Sequence, residues 1–353
     1  MSALPHPRFG LFDHVDRFAA PLAQIFEERL RLLAEADRLG YYCYHLAEHH
    51  ATPLGLAPSP GLLLAAASQR TRRIRLCPLV YPLPLYNPLR LVEEIGMLDQ
   101  LTGGRLEVGV GRGGSPYELA YCGVDPERAQ AMFEEAVSVL RCGLARGRVS
   151  AAGEFYTFRD VPIEVRTRQD PFPPFWYGAS SRKSLQWVAS EGWNVVAGGP
   201  LAELRRATDV YREALADAPA PAPAHPAADG PRIGAVRRLV VAESDAEAVR
   251  IAAPAYALWY DNLTKLWRDF GAPPERFCPD LESAMEQGVA LVGSPATVTA
   301  EVARYFSESG CNYLLGAVDF GNLGIDAALR TLELFAAFVM PSFPPDPIRR
   351  PTS

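Results

Sequence analysis

The chain has 353 residues, of which 48% are apolar, and this length suffices for one large domain or two small ones. Its formal net charge is -6 without a long block of like charge, which argues against nucleic acid or an anionic membrane as the main partner. Apolar runs such as residues 61–67 are too short to cross a bilayer, and the N-terminal segment lacks the apolar core of a signal peptide.

Six cysteines are scattered along the chain, and none forms a CxxC pair. Their spacing, like that of the histidines, does not fit a closed tetrahedral zinc site, so we predict no metal site. Reduced thiols in a cytosolic protein are the simplest account of this pattern, and we therefore expect a cytoplasmic location.

The predicted elements alternate between strands and helices. A strand at 9–12 precedes a helix at 22–39, which has apolar residues at helical spacing and ends at Gly40 as a left-handed C-cap. The next strand covers 41–47, and this order implies parallel pairing with a right-handed crossover. Further strands are predicted at 75–80, 105–111, 175–179, 193–197, 233–242 and 313–318. Further helices are predicted at 61–69, 89–101, 126–145, 181–191, 201–216 and 325–338, and also after Ser244 and Ser294.

Three segments interrupt this alternation. Residues 147–174 are predicted to form an excursion or hairpin, and residues 219–231 a surface loop rich in proline and alanine. Residues 259–289 look too polar and broken for one helix, so we predict an irregular connection there, of the kind that often forms a lid.

The number and order of these elements predict the fold class. About eight strands, most followed by a helix, are typical of a (β/α)8 TIM barrel with insertions. We therefore expect one domain over residues 1–353, with excursions near 147–174 and 259–290. An open doubly wound sheet is the alternative, although no GxGxxG motif opens the first helix.

Three ionisable residues, Glu48, His49 and His50, follow the strand at 41–47. Ligands of parallel sheets bind at the carboxyl ends of the strands, and histidine transfers protons readily near neutral pH. Adjacent residues on an extended backbone point to opposite sides, so at most one of the two imidazoles should face a given ligand. The alternative is a structural histidine with a solvated neighbour beside a carboxylate.

Two other strand ends carry groups that attract anions. Arg112 follows the strand at 105–111 among glycines, and its guanidinium offers several donors to a phosphate. Ser180, Ser181 and Ser184 open the helix after the strand at 175–179, where free backbone N–H groups can bind an anion. A solvated arginine and an ordinary serine N-cap are the alternatives, but two such sites at strand ends favour one phosphate cradle.

Taken together, these motifs resemble the bacterial-luciferase-like flavin-dependent monooxygenases. The resemblance covers nearly the whole chain in order, through residues 40–50 (GYYCYHLAEHH), 87–113 (NPLRLVEEIGMLDQLTGGRLEVGVGRG), 177–181 (YGASS) with Trp187 and Glu191-Gly192, 258–262 (LWYDN) and 292–295 (VGSP). It implies a (β/α)8 barrel, usually a homodimer, that binds FMN at its carboxyl-terminal face.

The resemblance also implies roles for individual residues. His49 matches the catalytic histidine of luciferase and would act as general acid or base, with His50 beside it and Glu48 orienting a histidine. A non-prolyl cis peptide would fall at Leu79-Val80, under the flavin ring. The FMN phosphate would be held by Arg112, the backbone of Gly113 and Gly114, and the hydroxyls of Ser180, Ser181 and Ser184.

Two departures from luciferase bear on the substrate. Gly111 stands where luciferase has a pocket cysteine, and Gly198-Gly199 lie near the position of a pocket aromatic. Both changes are expected to open space near the flavin ring, which implies a bulkier substrate than a fatty aldehyde and no light emission.

The reaction implied by the resemblance is oxygenation of an organic small molecule by reduced FMN and O2. The reduced FMN would come from a separate flavin reductase, because the chain has no dinucleotide-binding fingerprint of its own. A deazaflavin-dependent oxidoreductase of the same superfamily and a non-catalytic flavin-binding subunit are the alternatives.

Overall fold

The computed structural model describes residues 5–179, 181–218, 230–272 and 277–344. Its strands are β1 (Arg8–Asp13), β2 (Cys43–Leu46), β3 (Arg75–Pro78), β4 (Tyr81–Pro82), β5 (Val108–Gly111), β6 (Arg148–Ala152), β7 (Thr157–Pro162), β8 (Phe175–Ala179), β9 (Asn194–Ala197), β10 (Ile233–Val241), β11 (Ala290–Gly293) and β12 (Tyr313–Ala317). Its helices are α1 (Leu22–Leu39), α2 (Pro60–Arg70), α3 (Pro88–Leu101), α4 (Pro116–Tyr121), α5 (Ala129–Arg146), α6 (Arg182–Ser190), α7 (Leu201–Asp217), α8 (Asp245–Asp269), α9 (Leu281–Glu286), α10 (Pro295–Ser309) and α11 (Ile325–Leu334).

Eight parallel strands close into a barrel. Their order is β3, β2, β1, β12, β10, β9, β8 and β5, while β4 pairs with β5 and β11 pairs with β10. Closure occurs between β3 and the start of β5, where Leu76 N donates to Arg105 O (3.0 Å) and Glu107 N donates to Leu76 O (2.9 Å). The predicted (β/α)8 barrel is confirmed, and the alternative of an open sheet is wrong because these bonds join its two edges.

The excursion predicted at 147–174 is also confirmed. β6 and β7 form an antiparallel hairpin outside the barrel, and Val149 pairs with Val161. The side chain of Tyr156 reaches from this hairpin to the loop before α3, where its hydroxyl donates to Tyr86 O (3.5 Å). Most of the loop predicted at 219–231 lies outside the described residues.

Two helix predictions need correction. The segment from Trp259 was expected to be irregular, yet α8 runs without interruption from Asp245 to Asp269 and includes Pro254. Ala252, Tyr256 and Trp259 are buried at helical spacing, so packing of this face stabilises the helix despite the proline. The helix predicted from residue 126 begins at Ala129 instead, because residues 126–128 form a turn.

Large and polar side chains fill the lower half of the barrel. Trp176 and Tyr313 are fully buried there, next to Cys43 and Cys77. Buried Glu107 accepts hydrogen bonds from the hydroxyl of Tyr42 (2.9 Å) and from the indole of Trp176. Because this floor is packed and hydrogen-bonded, a ligand has room only at the carboxyl ends of the strands.

Among the described helices, none combines the length and the apolar character that crossing a lipid bilayer requires.

Candidate active site

A cavity of about 140 Å³ lies at the carboxyl ends of the strands and brings together most of the predicted site. Its lining includes Phe12 of β1 and Glu118 of α4. Six of the predicted residues also line it, namely Glu48, His49, Leu79, Val80, Gly113 and Gly114. The motifs after β2, β3 and β5 therefore face one shared space, although they are far apart in the chain.

Glu118 connects the two adjacent histidines. Its Oε1 lies 3.1 Å from His49 Nδ1, and its Oε2 accepts a hydrogen bond from the backbone N–H of His50 (2.9 Å). Ser115 begins α4 as its N-cap and accepts from Glu118 N (3.3 Å), which holds the carboxylate in place. An ionised carboxylate can only accept, so Nδ1 of His49 carries the proton in this pair and Nε2 is left as the acceptor.

The second histidine has a different carboxylate partner. His50 Nε2 lies 2.9 Å from Glu48 Oε1, and the other oxygen of Glu48 accepts from the Tyr86 hydroxyl. Burial raises the pKa of Glu48 above its usual range, and the hydrogen bond to Glu48 raises the pKa of His50. Glu48 thus orients His50, not His49, and the two imidazoles make separate contacts.

His14 is a third histidine beside this pair. Its ring centroid lies 5.4 Å from that of His49 and 4.7 Å from that of Phe12. Burial, the positive charge of Arg238 and the proximity of His49 all lower the pKa of His14. The imidazole of His14 is therefore neutral at neutral pH and extends the site toward β10.

The peptide bond between Leu79 and Val80 is cis, as the resemblance implied. Both residues line the cavity, and β5 passes close beneath them. A Cβ atom at Gly109 would lie 2.2 Å from the carbonyl oxygen of Pro78, so only glycine permits this approach. At Gly111 a Cβ atom would lie 2.6 Å from Val80 Cγ2. The expectation that Gly111 opens space near the flavin is therefore wrong, because Val80 already fills it.

The two anion-attracting segments are neighbours. β5 pairs with β8, with Val110 opposite Tyr177, so Arg112 and the first turn of α6 follow adjacent strand ends. Arg112 is exposed and lies close enough to Tyr177 to influence the pKa of its hydroxyl, which burial raises. Ser181 and Ser184 cap α6 reciprocally, since Ser184 N donates to Ser181 Oγ (3.2 Å) and Ser181 N donates to Ser184 Oγ (3.1 Å).

A phosphate could still bind beside these serines, because Ser181 is exposed, Ser184 is only half-buried and the α6 amino terminus attracts anions. Ser180 lies outside the described residues. The ends of β8 and β9 leave room for a flat ring nearby. A Cβ atom at Gly178 or Gly198 would meet no described atom within 4 Å. The residues present fit a phosphorylated flavin, with donors at β5 and α6 and open space beside the cavity.

The amino-acid sequence matches the family profile of luciferase-like monooxygenases over residues 7–312. The chain belongs to this family. The monooxygenase is 40% identical over 326 residues to the uncharacterized protein y4wF of Sinorhizobium fredii, with 92% of this chain and 93% of that protein covered. It is 31% identical over 192 residues to the oxygenase component of flavin-dependent trigonelline monooxygenase from Acinetobacter baylyi, a match over 53% of each chain.

A solved structure shares the fold of this monooxygenase. The oxygenating constituent of 3,6-diketocamphane monooxygenase from Pseudomonas putida, solved in complex with FMN, is similar over 96% of this chain and 99% of its own. The TM-score is 0.79 and the sequence identity 23%. The family match and the names of its relatives make the protein an enzyme, a flavin-dependent monooxygenase.

Sequence reasoning missed two residues of this candidate site. Glu118 lies on α4, a helix of only six residues that no periodic pattern revealed. His14 follows β1 as a single histidine with no motif around it. The only sequence signal for Glu118 was Ser115-Pro116, a serine N-cap followed by proline in the first turn of a helix.

Proposed function

We propose that this monooxygenase is the oxygenase of a two-component system, in which a separate reductase supplies reduced FMN for the oxygenation of an organic small molecule by O2. The observation that carries the proposal is the cavity that His49 shares with the cis peptide Leu79-Val80 and with Gly113, next to Arg112. Reduced FMN, when bound, supplies the electrons that activate O2.

Three groups of residues would hold FMN. Arg112 and the amino terminus of α6 offer the phosphate a guanidinium and free N–H groups. Leu79 and Val80 offer the ring an apolar surface, and Gly178 leaves room beside it. The packed floor of the barrel excludes water from below, which favours oxygenation over unproductive loss of reducing power.

His49 is the residue that we assign to proton transfer. It lines the cavity, and its contact with Glu118 leaves Nε2 as a proton acceptor on the side away from that carboxylate. A positioned acid or base of this kind contributes about 10²–10⁴-fold to a rate. His50 and Glu48 form a neighbouring pair, in which Glu48 also accepts a hydrogen bond from the hydroxyl of Tyr86.

A matched pair of variants tests this assignment. His49→Asn is expected to slow the turnover of bound reduced FMN in air by about 10²-fold or more. His50→Asn should have a smaller effect, and FMN affinity should change little in either variant. Equal turnover in the wild type and His49→Asn would contradict the role of His49.

Titration with different flavins tests the cofactor. We expect the protein to bind FMN more tightly than riboflavin or a phosphorylated deazaflavin. Tight binding of the deazaflavin with weak binding of FMN would favour a deazaflavin-dependent hydride transfer instead. The relative from Acinetobacter baylyi, named as an oxygenase component, supports a separate reductase, and addition of reductase-generated FMNH2 should sustain turnover.

A homodimer is also part of the proposal. The neighbouring helices α2 and α3 expose Leu62 (75%), Met97 (54%) and Leu101 (45%), an apolar surface of the kind that pairs with a second copy. Leu62→Glu combined with Met97→Glu should shift the mass measured by sedimentation from dimer to monomer. Phe338→Glu, an equally exposed apolar residue beyond α11, is the control. A monomeric wild type would contradict this proposal.

A further inference from the structure

Arg238 points into the barrel from the wall formed by β10. Side chains alternate along this strand, and Val236 packs with the interior residues Trp176 and Tyr313. Arg238 is two residues further toward the carboxyl end and therefore lies on the same side, above this floor. Only 6% of the residue is exposed.

The guanidinium of Arg238 lacks a full set of acceptors. Its Cζ lies 3.9 Å from the ring centroid of Trp259 and 5.7 Å from that of Phe320. Among the described residues, Nε of Arg238 and Nε1 of Trp259 both lack a hydrogen-bond partner. The side chains of Arg238 and Trp259 are in contact, and each has a buried donor without an acceptor in the described part of the chain. This arrangement indicates a binding place for a ligand that accepts hydrogen bonds.

Two other buried arginines, Arg29 and Arg237, also have one buried nitrogen without a partner among the described residues, but each is held by other polar contacts. Arg29 is paired with Asp13 (2.9 Å) and with Asp319. Arg237, which faces the opposite side of β10, donates to Val236 O (3.0 Å) and to Gly199 O (3.1 Å). By contrast, no ion pair or side-chain hydrogen bond joins Arg238 to another described residue, and its guanidinium lies over the ring of Trp259.

Asp16 is the acidic side chain that affects the pKa of Arg238 most strongly. The carboxyl group of Asp16 is itself only partly ionised near neutral pH. It accepts hydrogen bonds from Asn262 Nδ2 (3.3 Å) and Gly321 N (3.2 Å). Burial raises the pKa of Asp16 to about 7, so this carboxyl is largely protonated below neutral pH. The positive charge of Arg238 is therefore only partly neutralised within the protein.

The unpaired guanidinium lies next to the histidines. His14 is the link, because its ring centroid is 5.4 Å from that of His49 and its pKa is lowered by both Arg238 and His49. In the barrel wall, β9 and β8 separate β10, which carries Arg238, from β5, whose end carries Arg112. If Arg112 binds the phosphate of FMN, Arg238 remains available to bind a different anionic group.

We propose that Arg238 and the indole N–H of Trp259 bind a carboxylate group of the organic substrate and place the rest of that substrate beside His49. A guanidinium matches the two oxygens of a carboxylate, and the rings of Trp259 and Phe320 suit the apolar body of an organic acid better than an inorganic ion. This inference rests on the proposed function for the reaction, but the anion site itself can be tested without turnover.

The test compares benzoate with its neutral analogue benzamide on the full-length protein loaded with oxidised FMN, by calorimetry and flavin absorbance. We expect the wild type to bind benzoate at least tenfold more tightly than benzamide. Arg238→Met should lose this preference, and Arg238→Lys should keep part of it, because the charge remains while the two-donor geometry does not. Circular dichroism checks that each variant is folded.

Each other outcome overturns the inference. Equal affinities for benzoate and benzamide, or no binding of either, would show that the wild type has no carboxylate site. Unchanged benzoate binding in Arg238→Met would assign the anion to another group, and a loss of FMN affinity in that variant with the benzoate preference intact would assign Arg238 to the flavin. If the wild type fails to bind FMN, the proposed function fails, while the benzoate preference and its dependence on Arg238 are still measured on the free protein.

Discussion

The Nδ1 atom of His49 lies 3.1 Å from Oε1 of Glu118, and this contact ties the end of β2 to the short helix α4. We predict that Glu118→Gln slows the turnover of bound reduced FMN in air by about tenfold or more, less than removal of an acid or base altogether. The amide can donate to Nδ1 as well as accept from it, so the tautomer of His49 is no longer fixed.

The measurement is the pH profile of that turnover together with the FMN dissociation constant. Glu127→Gln, the same chemical change at an exposed position after α4, is the control and should match the wild type. A shifted profile with unchanged FMN affinity is the expected signature of a positioning residue. Identical profiles for Glu118→Gln and Glu127→Gln would show that Glu118 does not act through His49.

The exposed guanidinium of Arg112 follows β5, beside the first turn of α6. We predict that Arg112→Met weakens FMN binding by at least about tenfold, in line with the loss of one charge-assisted hydrogen bond of about 1.5–3 kcal/mol. Riboflavin lacks the phosphate, so its affinity should stay the same. Fluorescence titration with both flavins measures this difference.

Arg159→Met provides the control, because Arg159 is an exposed arginine on the hairpin strand β7. It should bind both flavins as the wild type does. An equal loss of FMN and riboflavin affinity in Arg112→Met would mean that Arg112 supports the shape of the pocket and does not contact the phosphate.

Ser181 has a structural task even without a ligand, because its hydroxyl accepts from Ser184 N (3.2 Å) at the start of α6. We predict that Ser181→Ala lowers the free energy of unfolding by about 1 kcal/mol in the absence of FMN. Urea denaturation followed by circular dichroism measures it. Ser307→Ala, in the last turn of α10, should be neutral or slightly stabilising, since alanine has a higher helix propensity than serine. An unchanged free energy of unfolding in Ser181→Ala would show that this hydroxyl does not stabilise α6, and phosphate binding would be its only proposed role.

The sequence was sufficient to predict the barrel and the place of the site, because both depend on local patterns. Alternating strands and helices, Gly40 after α1 and the polar residues after β2 are all visible in short windows. The partner of His49 was not visible, since Glu118 is 69 residues away and lies on one short helix. α8 was misjudged because residues 259–289 look too polar and broken for one helix, whereas buried contacts along the whole helix decide its length.

Sequence patterns also did not reveal which charged side chains face the barrel interior. Arg238 sits in the run Ile233–Val241 beside a second arginine, and nothing in that run tells which of the two faces the barrel interior. The alternation of side chains along β10 decides this only once the strand is placed against β12 and β11. The local pattern of strands and helices thus predicts at which end of the barrel a ligand would bind. Which side chains face that ligand depends on the pairing of strands that are far apart in the chain.

The buried carboxyl of Asp16 makes stability depend on pH in a predictable direction. Burial raises its pKa from 3.8 in the unfolded chain to about 7, so the folded state holds a proton that the unfolded state loses. Between these two pKa values the folded protein binds more protons, and its free energy of unfolding falls as the pH rises. The slope from this one group is at most about 1.4 kcal/mol per pH unit, and it vanishes above the higher pKa.

Asp16→Asn should remove this slope. Asn262 Nδ2 and Gly321 N donate to different oxygens of Asp16, so the single amide oxygen keeps only one of these bonds and the variant should be less stable at low pH. Its stability relative to the wild type should then rise as the pH increases toward about 7. Urea denaturation across this pH range measures the difference. Asp245→Asn is the control, because the hydrogen bond from Ser294 N lowers the pKa of Asp245, so the contribution of this group is constant above about pH 4 and the variant should run parallel to the wild type over this range. Parallel pH profiles for Asp16→Asn and the wild type would mean that Asp16 ionises in the folded protein as it does in water, and that Arg238 then has a charged neighbour after all.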